Sequence, residues 1–321
     1  MTHNITLGKI IDKGMISTVY DCKYKNKNYI VKVEYVIKDD TVNKNSQKQK
    51  EVEFSLKFAN KYGEHFMELI HYFFQEDCTI DLKWDLNNAH KTWYKKVINK
   101  YKSIMNEHIC LYKVYTKMDV ILNNVIDKLS ILQIYSMLAQ VSYAMNLLHK
   151  HNYIHGDLHS GNVGAMKTLK RATVKLGSVT IPTYGYQCKL IDFGMTLHKN
   201  DIKTKDDKER YALEMDDIYD EGLFYNLVTY IDYKGNYSSD ELIKIIKKTE
   251  EFKVIEKIHS KNRSIQHGLY QSIYPDKLIE LFGGKIIDNH RLPIPDLIFF
   301  AKHGMHSAAT FQYLLEKLNS K

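Results

Sequence analysis

The chain has 321 residues, 44% of them hydrophobic and 26% charged, with 46 Lys+Arg against 38 Asp+Glu and a formal net charge of +8. Only 15 Gly and 4 Pro occur, which excludes collagen-like and Pro/Gly-rich disordered classes, and the 12% aromatic content points to a packed protein. Arg stands only at Arg171, Arg210, Arg263 and Arg291 and the lysines are mixed with acids, so the basic balance reads as Lys on solvated faces rather than as a nucleic-acid stripe.

Cys22, Cys78, Cys110 and Cys188 are far apart and form no CxxC pair, which predicts neither disulfides nor a zinc knuckle. The start, MTHNITLGKI, has no basic region followed by an apolar one. No apolar run approaches the ~18 residues that span a bilayer. The expectation is a soluble protein of a reducing compartment, the cytoplasm.

Ile5–Ile11, Thr18–Tyr24 and Asn28–Tyr35 alternate as strands, with turn residues at Asp12-Lys13-Gly14 and Lys25-Asn26-Lys27-Asn28 between them. Such close spacing predicts an antiparallel sheet. Lys48–Asn60, with Val52, Phe54 and Phe58 among charges, predicts a helix, and Met67–Phe74 another strand. The stretch 76–107 is rich in Lys and Asn. Trp84, Trp93, Tyr94, Val97, Ile98, Tyr101 and Ile104 recur in it at helical spacing, which predicts a helical excursion before a strand at His108–Met118. From Ser130 onward the chain reads as mainly helical. Ile131–His149 carries Ile131, Ile134, Tyr135, Leu138, Val141, Met145 and Leu148 as a 3.6-period stripe. Thr173–Ile181 reads as one strand, then Pro182–Tyr186 as a turn into Lys189–Asp192. Glu241–Ile258, Asp276–Phe282 and Asp296–Leu318 read as helices.

Chemistry concentrates after the long helix. His155-Gly156-Asp157-Leu158-His159-Ser160-Gly161-Asn162 places a carboxylate and an amide on one loop, and Asp192-Phe193-Gly194 places a second carboxylate after an apolar strand. Phosphoryl transfer needs such a set. Hard Mg²⁺ takes carboxylate and amide oxygens, and another carboxylate orients the attacking hydroxyl and accepts its proton. HxDxxxxN followed by DFG resembles the protein-kinase superfamily. The resemblance implies Asp157 as catalytic base, Asn162 and Asp192 as Mg²⁺ ligands, and His155 as the residue that packs the loop.

Upstream residues extend the resemblance. Aligned on Val19, the Gly-rich loop of that superfamily falls on Asp12, Gly14, Ser17 and Val19, of which only Gly14 keeps a glycine. Lys32, in Tyr29-Ile30-Val31-Lys32-Val33, resembles the lysine strand and would meet the ATP phosphates. Glu51 would be its helix carboxylate, with Glu53 second. Asp217 followed by Gly222 resembles the helix whose Asp anchors the catalytic-loop backbone. His149, His151, His155 and His159 have metal-like gaps, but the kinase pattern already explains His155 without zinc.

The implied fold is α+β and bilobal, with a small antiparallel-sheet lobe over residues 1–118 and a larger helical lobe over 119–321. The implied function is ATP- and Mg²⁺-dependent phosphotransfer to a protein hydroxyl, Ser or Thr, with no specific nucleic acid and no membrane span. Two features depart from the pattern. Gly156 replaces the usual Arg, and His159 stands where Ser/Thr kinases carry a phosphate-contacting Lys. HGDLHSGN and the short stretch from Gly194 to Asp217, which has no APE, also resemble aminoglycoside- and sugar-kinase relatives. A small-molecule kinase is therefore the alternative, and a pseudokinase scaffold is a third reading that the retained Lys32, Glu51, Asp157, Asn162 and Asp192 disfavour. The IPTYGYxxKLIDFG stretch resembles protein kinases of large DNA viruses, for which the compartment would be host cytoplasm or virion.

Overall fold

The computed structural model describes residues 5–14, 17–82, 102, 104–125, 128–215, 231–232, 285–286, 296 and 308–320. The chain divides into two compact units, Met1–Lys117 and Met118–Lys321.

The first unit is built on a five-stranded sheet in the order β1-β2-β3-β5-β4, with all neighbours antiparallel. The strands are β1 (Ile5–Lys13), β2 (Ser17–Tyr24), β3 (Lys27–Val36), β4 (Leu69–Gln75) and β5 (Ile109–Tyr115). Tyr24 opposes Lys27, so the β2–β3 turn consists of Lys25 and Asn26, at φ 49° and 61°. Two successive positive φ values give a two-residue turn whose twist matches that of the strands.

Period-two alternation splits β3 between two faces. Val31, Val33 and Tyr35 join Cys22, Cys110 and Val114 in an apolar cluster, capped by Cys78 and Ile80 from the strap that follows β4. Each fully buried Val or Ile contributes about 1.5–3 kcal/mol. The other face presents Lys32 and Glu34.

The strap overturns the cysteine expectation, because Cys78 and Cys110 form a disulfide with Cα atoms 6.0 Å apart. Their sequence separation of 32 hides the reason. Cys78 follows the end of β4 and Cys110 is the second residue of β5, with Gln75 directly opposite Cys110, so the antiparallel return brings the two together. Cys22 and Cys188 are buried thiols.

Two short helices follow β3, α1 (Lys38–Val42) and α2 (Gln47–Phe54). Ser46 caps α2 by accepting from the Gln49 N–H. The predicted single helix to Asn60 instead widens into a π-helical turn at Ser55–Ala59, where Asn60 N donates to Ser55 O at 3.0 Å. The Asn60 amide is fixed on β4, exchanging 2.8 Å hydrogen bonds with both the N–H and the C=O of Leu69. In the excursion, Lys102, Ile104 and Met105 are helical. Trp84, Trp93, Tyr94, Val97, Ile98 and Tyr101 lie outside the described residues.

The second unit is organised by α3 (Ile131–Lys150), whose N-terminus is closed by a reciprocal Ser130/Gln133 capping box. Its apolar stripe is buried from Ile134 to Leu148, and a polar ridge seats the strands that lead to the site. Ser136 Oγ donates to Pro182 O at 2.7 Å, and Gln140 bridges Tyr186 O (3.1 Å) and Cys188 N (2.7 Å). Strands stand beside the helices among the described residues of this unit. β6 (Val120–Ile121), β8 (Val163–Lys167) and β11 (Tyr186–Leu190) form a sheet in the order β11-β8-β6, and β7 (Tyr153–Ile154) pairs with β12 (Leu197–His198). The stretch Thr173–Ile181 is not one strand. It folds as a hairpin of β9 (Thr173–Leu176) and β10 (Val179–Pro182), turning at Gly177 with φ 65°.

Helix α4 (Lys205–Met215) follows β12, and the pair β13 (Ile231–Asp232) and β14 (Lys285–Ile286) comes later. Helix α5 (Ala308–Asn319) is tied to α3 through buried Asp296, which accepts hydrogen bonds from Tyr135 and Tyr313 and pairs with Lys317 at 2.9 Å. The predicted helices Glu241–Ile258 and Asp276–Phe282, and the Asp217/Gly222 pair, lie outside the described residues. No helix among the described residues is long and apolar enough to cross a membrane.

Candidate active site

In the second unit, β7 delivers the loop 155–162 and β11 delivers Asp192. Leu190 opposes Val163 in the β11–β8 ladder, so the two functional stretches leave one sheet side by side. His155 is fully buried. Its Nε2 lies 3.1 Å from Ile191 O, and its ring meets Phe193 edge-on at 5.9 Å. One side chain therefore holds the residues on both sides of Asp192. Asn162 O accepts from Ile191 N at 3.0 Å and completes the grip. Asp192 itself has φ 60°, a left-handed conformation that non-glycine residues adopt at a cost of about 1–2 kcal/mol and keep only where surroundings enforce it.

Asn162 also organises Asp157. Its Nδ2 donates to Asp157 O at 2.8 Å and to Asp157 Oδ2 at 3.2 Å. That orientation leaves the amide oxygen Oδ1 as the atom Asn162 can offer a cation. The Asp157 side chain is half exposed, and His159 Nε2 lies 3.9 Å from its Oδ2. His159 Nδ1 accepts from Gly161 N at 3.0 Å, which fixes the ring.

Gly156 explains the missing Arg. Its φ is +78°, and a Cβ there would sit 2.4 Å from the carbonyl oxygen of Met195. The segment after Asp192 packs backbone-to-backbone on the loop, and only glycine allows it.

Sequence reasoning missed Glu214. This residue of α4 is 2% exposed. Its Oε1 accepts from His155 N at 2.5 Å and its Oε2 from Gly156 N at 2.7 Å, while His149 Nε2 lies 3.5 Å from Oε1. Burial pushes the carboxyl up. The His149 hydrogen bond, the nearby His155 and the two backbone donors outweigh it and hold Glu214 below its ordinary value. Glu214 thus anchors the backbone of the loop; Asp217, to which the motif pattern gave such a role, lies outside the described residues. The available signal was the start of α4, where Thr204 and Asp207 cap each other reciprocally at 3.0 Å.

In the first unit, Gly14 N donates to Ser17 O at 2.7 Å and closes the β1–β2 hairpin. Val19 lies opposite Lys32 in the β2–β3 ladder. The hairpin is gripped from the strap, where Asp81 O accepts from Thr18 Oγ1 and Asp81 Oδ2 pairs with Lys13 Nζ, both at 2.5 Å. Lys32 is half-buried on β3, with paired strands on both sides, so it is no edge-strand lysine. Glu51 is buried, and its Oε1 accepts from Lys113, a fully buried lysine on β5 that also pairs with Glu34. Glu53 is exposed and pairs with Lys57 at 2.5 Å. Choosing Glu51 over Glu53 thus selects the buried carboxylate, and Lys113 is a partner the pattern did not supply.

The family model described as protein tyrosine and serine/threonine kinase matches residues 5–216, from β1 through α4. The chain belongs to that family. No curated protein matches it.

Proposed function

We propose that the protein transfers the γ-phosphoryl group of ATP to a Ser or Thr hydroxyl of a protein substrate, with Mg²⁺ required. The observation that carries this reading is the way Asn162 binds both stretches, its Nδ2 fixing Asp157 and its carbonyl oxygen fixing the backbone N–H of Ile191, directly before Asp192.

The donor set suits Mg²⁺, with hard oxygens from Asp192 and from the Asn162 amide, whose nitrogen is committed to Asp157. When bound, the ion neutralises charge on the phosphates. Lys32 meets the phosphates as a point charge. Asp157 Oδ1 accepts the proton of the attacking hydroxyl, while Oδ2 is steadied by Asn162. The hydroxyl oxygen bonds to the γ-phosphorus as its bond to the bridging oxygen breaks, releasing ADP. Positioning and charge stabilisation supply most of the rate.

Labelled-ATP transfer to casein, basic proteins and a metabolite panel tests this. Phosphoserine or phosphothreonine is expected, with at least about a hundredfold loss in Asp157→Asn and in Asp192→Asn. Label on metabolites alone would replace the acceptor with a small molecule.

A further inference from the structure

Most lysines of this chain have acids near them in sequence, but from Leu158 to Ile191 there is no Asp or Glu. Lys167, Lys170, Arg171 and Lys175 stand in that stretch, all exposed, and their side chains form no ion pair among the described residues. Asp119 reaches this end of β8, where its Oδ2 accepts from the Lys167 backbone N–H at 2.8 Å.

The fold holds these cations out on a fixed ribbon. Along β9 and β10, Val174, Leu176 and Ile181 are buried while Thr173, Lys175 and Thr180 are exposed. The ribbon is seated on α3, where Ser136 Oγ donates to Pro182 O at 2.7 Å and Gln133 Nε2 to Tyr184 O at 3.0 Å. Buried Thr183 pins the turn that enters it. The Thr183 N–H and hydroxyl both donate to Ala172 O, at 2.8 and 3.0 Å, and Thr168 Oγ1 lies 2.7 Å from Thr183 Oγ1. Lys170 and Arg171 sit on that turn beside Leu169, which is 68% exposed. A surface whose backbone is already fixed loses little freedom when a partner settles on it.

Both arms of the ribbon lead to the catalytic stretches. β8 begins directly after Asn162, and β11 ends directly before Ile191-Asp192. At about 3.3 Å per residue, Lys167 is about 16 Å along the strand from Asn162. A protein bound here is held in the same unit as Asp157, a short extended stretch away. Clustered cations without acids favour a partner that carries carboxylates. The residue types choose among anionic partners. Val163–Thr183 contains no aromatic residue, so no base-stacking platform accompanies the charge. Met166 and Leu169 are the exposed large apolar side chains of this stretch, too few for a face that lies in a membrane surface.

We propose that this ribbon docks an acidic segment of the protein substrate, with carboxylates on Lys170, Arg171 and Lys175 and an apolar side chain against Leu169. The proposal deepens the phosphotransfer reading above and rests on it.

The test uses the full chain and its charge-reversed variant Lys170→Glu/Arg171→Glu/Lys175→Glu, with dephosphorylated casein as an acidic acceptor and histone as a basic one. The variant is expected to raise the KM for casein about tenfold or more, with the KM values for ATP and histone not raised. Anisotropy of a fluorescein-labelled Glu-rich peptide containing one Leu, recorded without ATP, is expected to report binding to wild type. About 0.5 M NaCl should weaken that binding at least tenfold, and the variant should lack it. If the reversed variant does not fold, the neutral Lys170→Gln/Arg171→Gln/Lys175→Gln variant is read the same way. A folded variant with wild-type KM for casein and wild-type peptide binding would overturn the proposal. Binding confined to phosphatidylserine vesicles or to a single-stranded oligonucleotide would overturn it too, by making the ribbon a membrane or nucleic-acid surface. Absence of phosphotransfer by wild type to any acceptor would overturn the phosphotransfer reading, whereas the anisotropy, which needs no turnover, judges the ribbon by itself.

Discussion

Replacing Glu214 by Gln changes one atom's chemistry and almost no volume. The carboxylate accepts from two backbone donors, His155 N at 2.5 Å and Gly156 N at 2.7 Å. Gln keeps one acceptor and turns an NH₂ group toward the other donor. A hydrogen bond to a charged acceptor contributes about 1.5–3 kcal/mol, and a buried donor left unsatisfied costs about 1–3 kcal/mol. The variant is therefore expected to lose about 3–5 kcal/mol at pH 7 in urea unfolding followed by far-UV circular dichroism. The pH dependence gives a second handle. Glu214 is held below its ordinary value, so the unfolded chain binds its proton first as pH falls. Its stabilisation is complete above the ordinary carboxylate range, about pH 4.3, and fades as pH falls toward the folded value. The gap between wild type and Glu214→Gln should narrow correspondingly in acid. Loosening the loop that bears Asp157 should also lower kcat at least tenfold. A gap below about 0.5 kcal/mol, or one constant with pH, would refute the anchoring role.

Gly156→Ala places a Cβ 2.4 Å from the Met195 carbonyl oxygen at φ +78°. The left-handed conformation alone costs about 1–2 kcal/mol. With the backbone shift added, a Tm drop of roughly 4–8 °C is expected by calorimetry, and an unchanged Tm would contradict the packing described. The Cys78–Cys110 bridge, with its separation of 32, should contribute roughly 3–4 kcal/mol through loop closure. Dithiothreitol should lower the Tm of wild type and leave Cys78→Ser unmoved. Four alkylatable thiols in the denatured, unreduced chain would show that the bridge does not form.

Much of the candidate site was legible because its chemistry is local in sequence. Asp157 and Asn162 share one loop, Asp192 closes a strand, and the Ile131–His149 stripe announces the helix that carries them. Glu51 was separable from Glu53 by its apolar neighbours at helical spacing. What escaped depends on contacts that sequence does not order. Glu214 was hidden because the Thr204/Asp207 cap marks the start of a helix but not what that helix will touch. Lys113 looked like one lysine among many, and only the β3–β5 register sets it beside Lys32. Thr173–Ile181 alternates well enough to pass as one strand, and the positive φ at Gly177 divides it.

The bridge at the base of the 78–110 stretch has a practical consequence. The chain leaves the sheet after Gln75 and re-enters it at Ile109, and the Cα atoms of Cys78 and Cys110 at that base are only 6.0 Å apart. That pair is clamped both covalently and by the Cys78 N to His108 O bond of 3.1 Å. Ile80 and Asp81, just inside the bridge, bond to Tyr35 and to the β1–β2 hairpin, so the bridge and these bonds together fix the base of the excursion on the sheet. For protein engineering, a fluorescent reporter or an affinity tag spliced between the cysteines should spare residues 78–82 and 104–110, so that these bonds keep holding the sheet while the insert rides on the first unit.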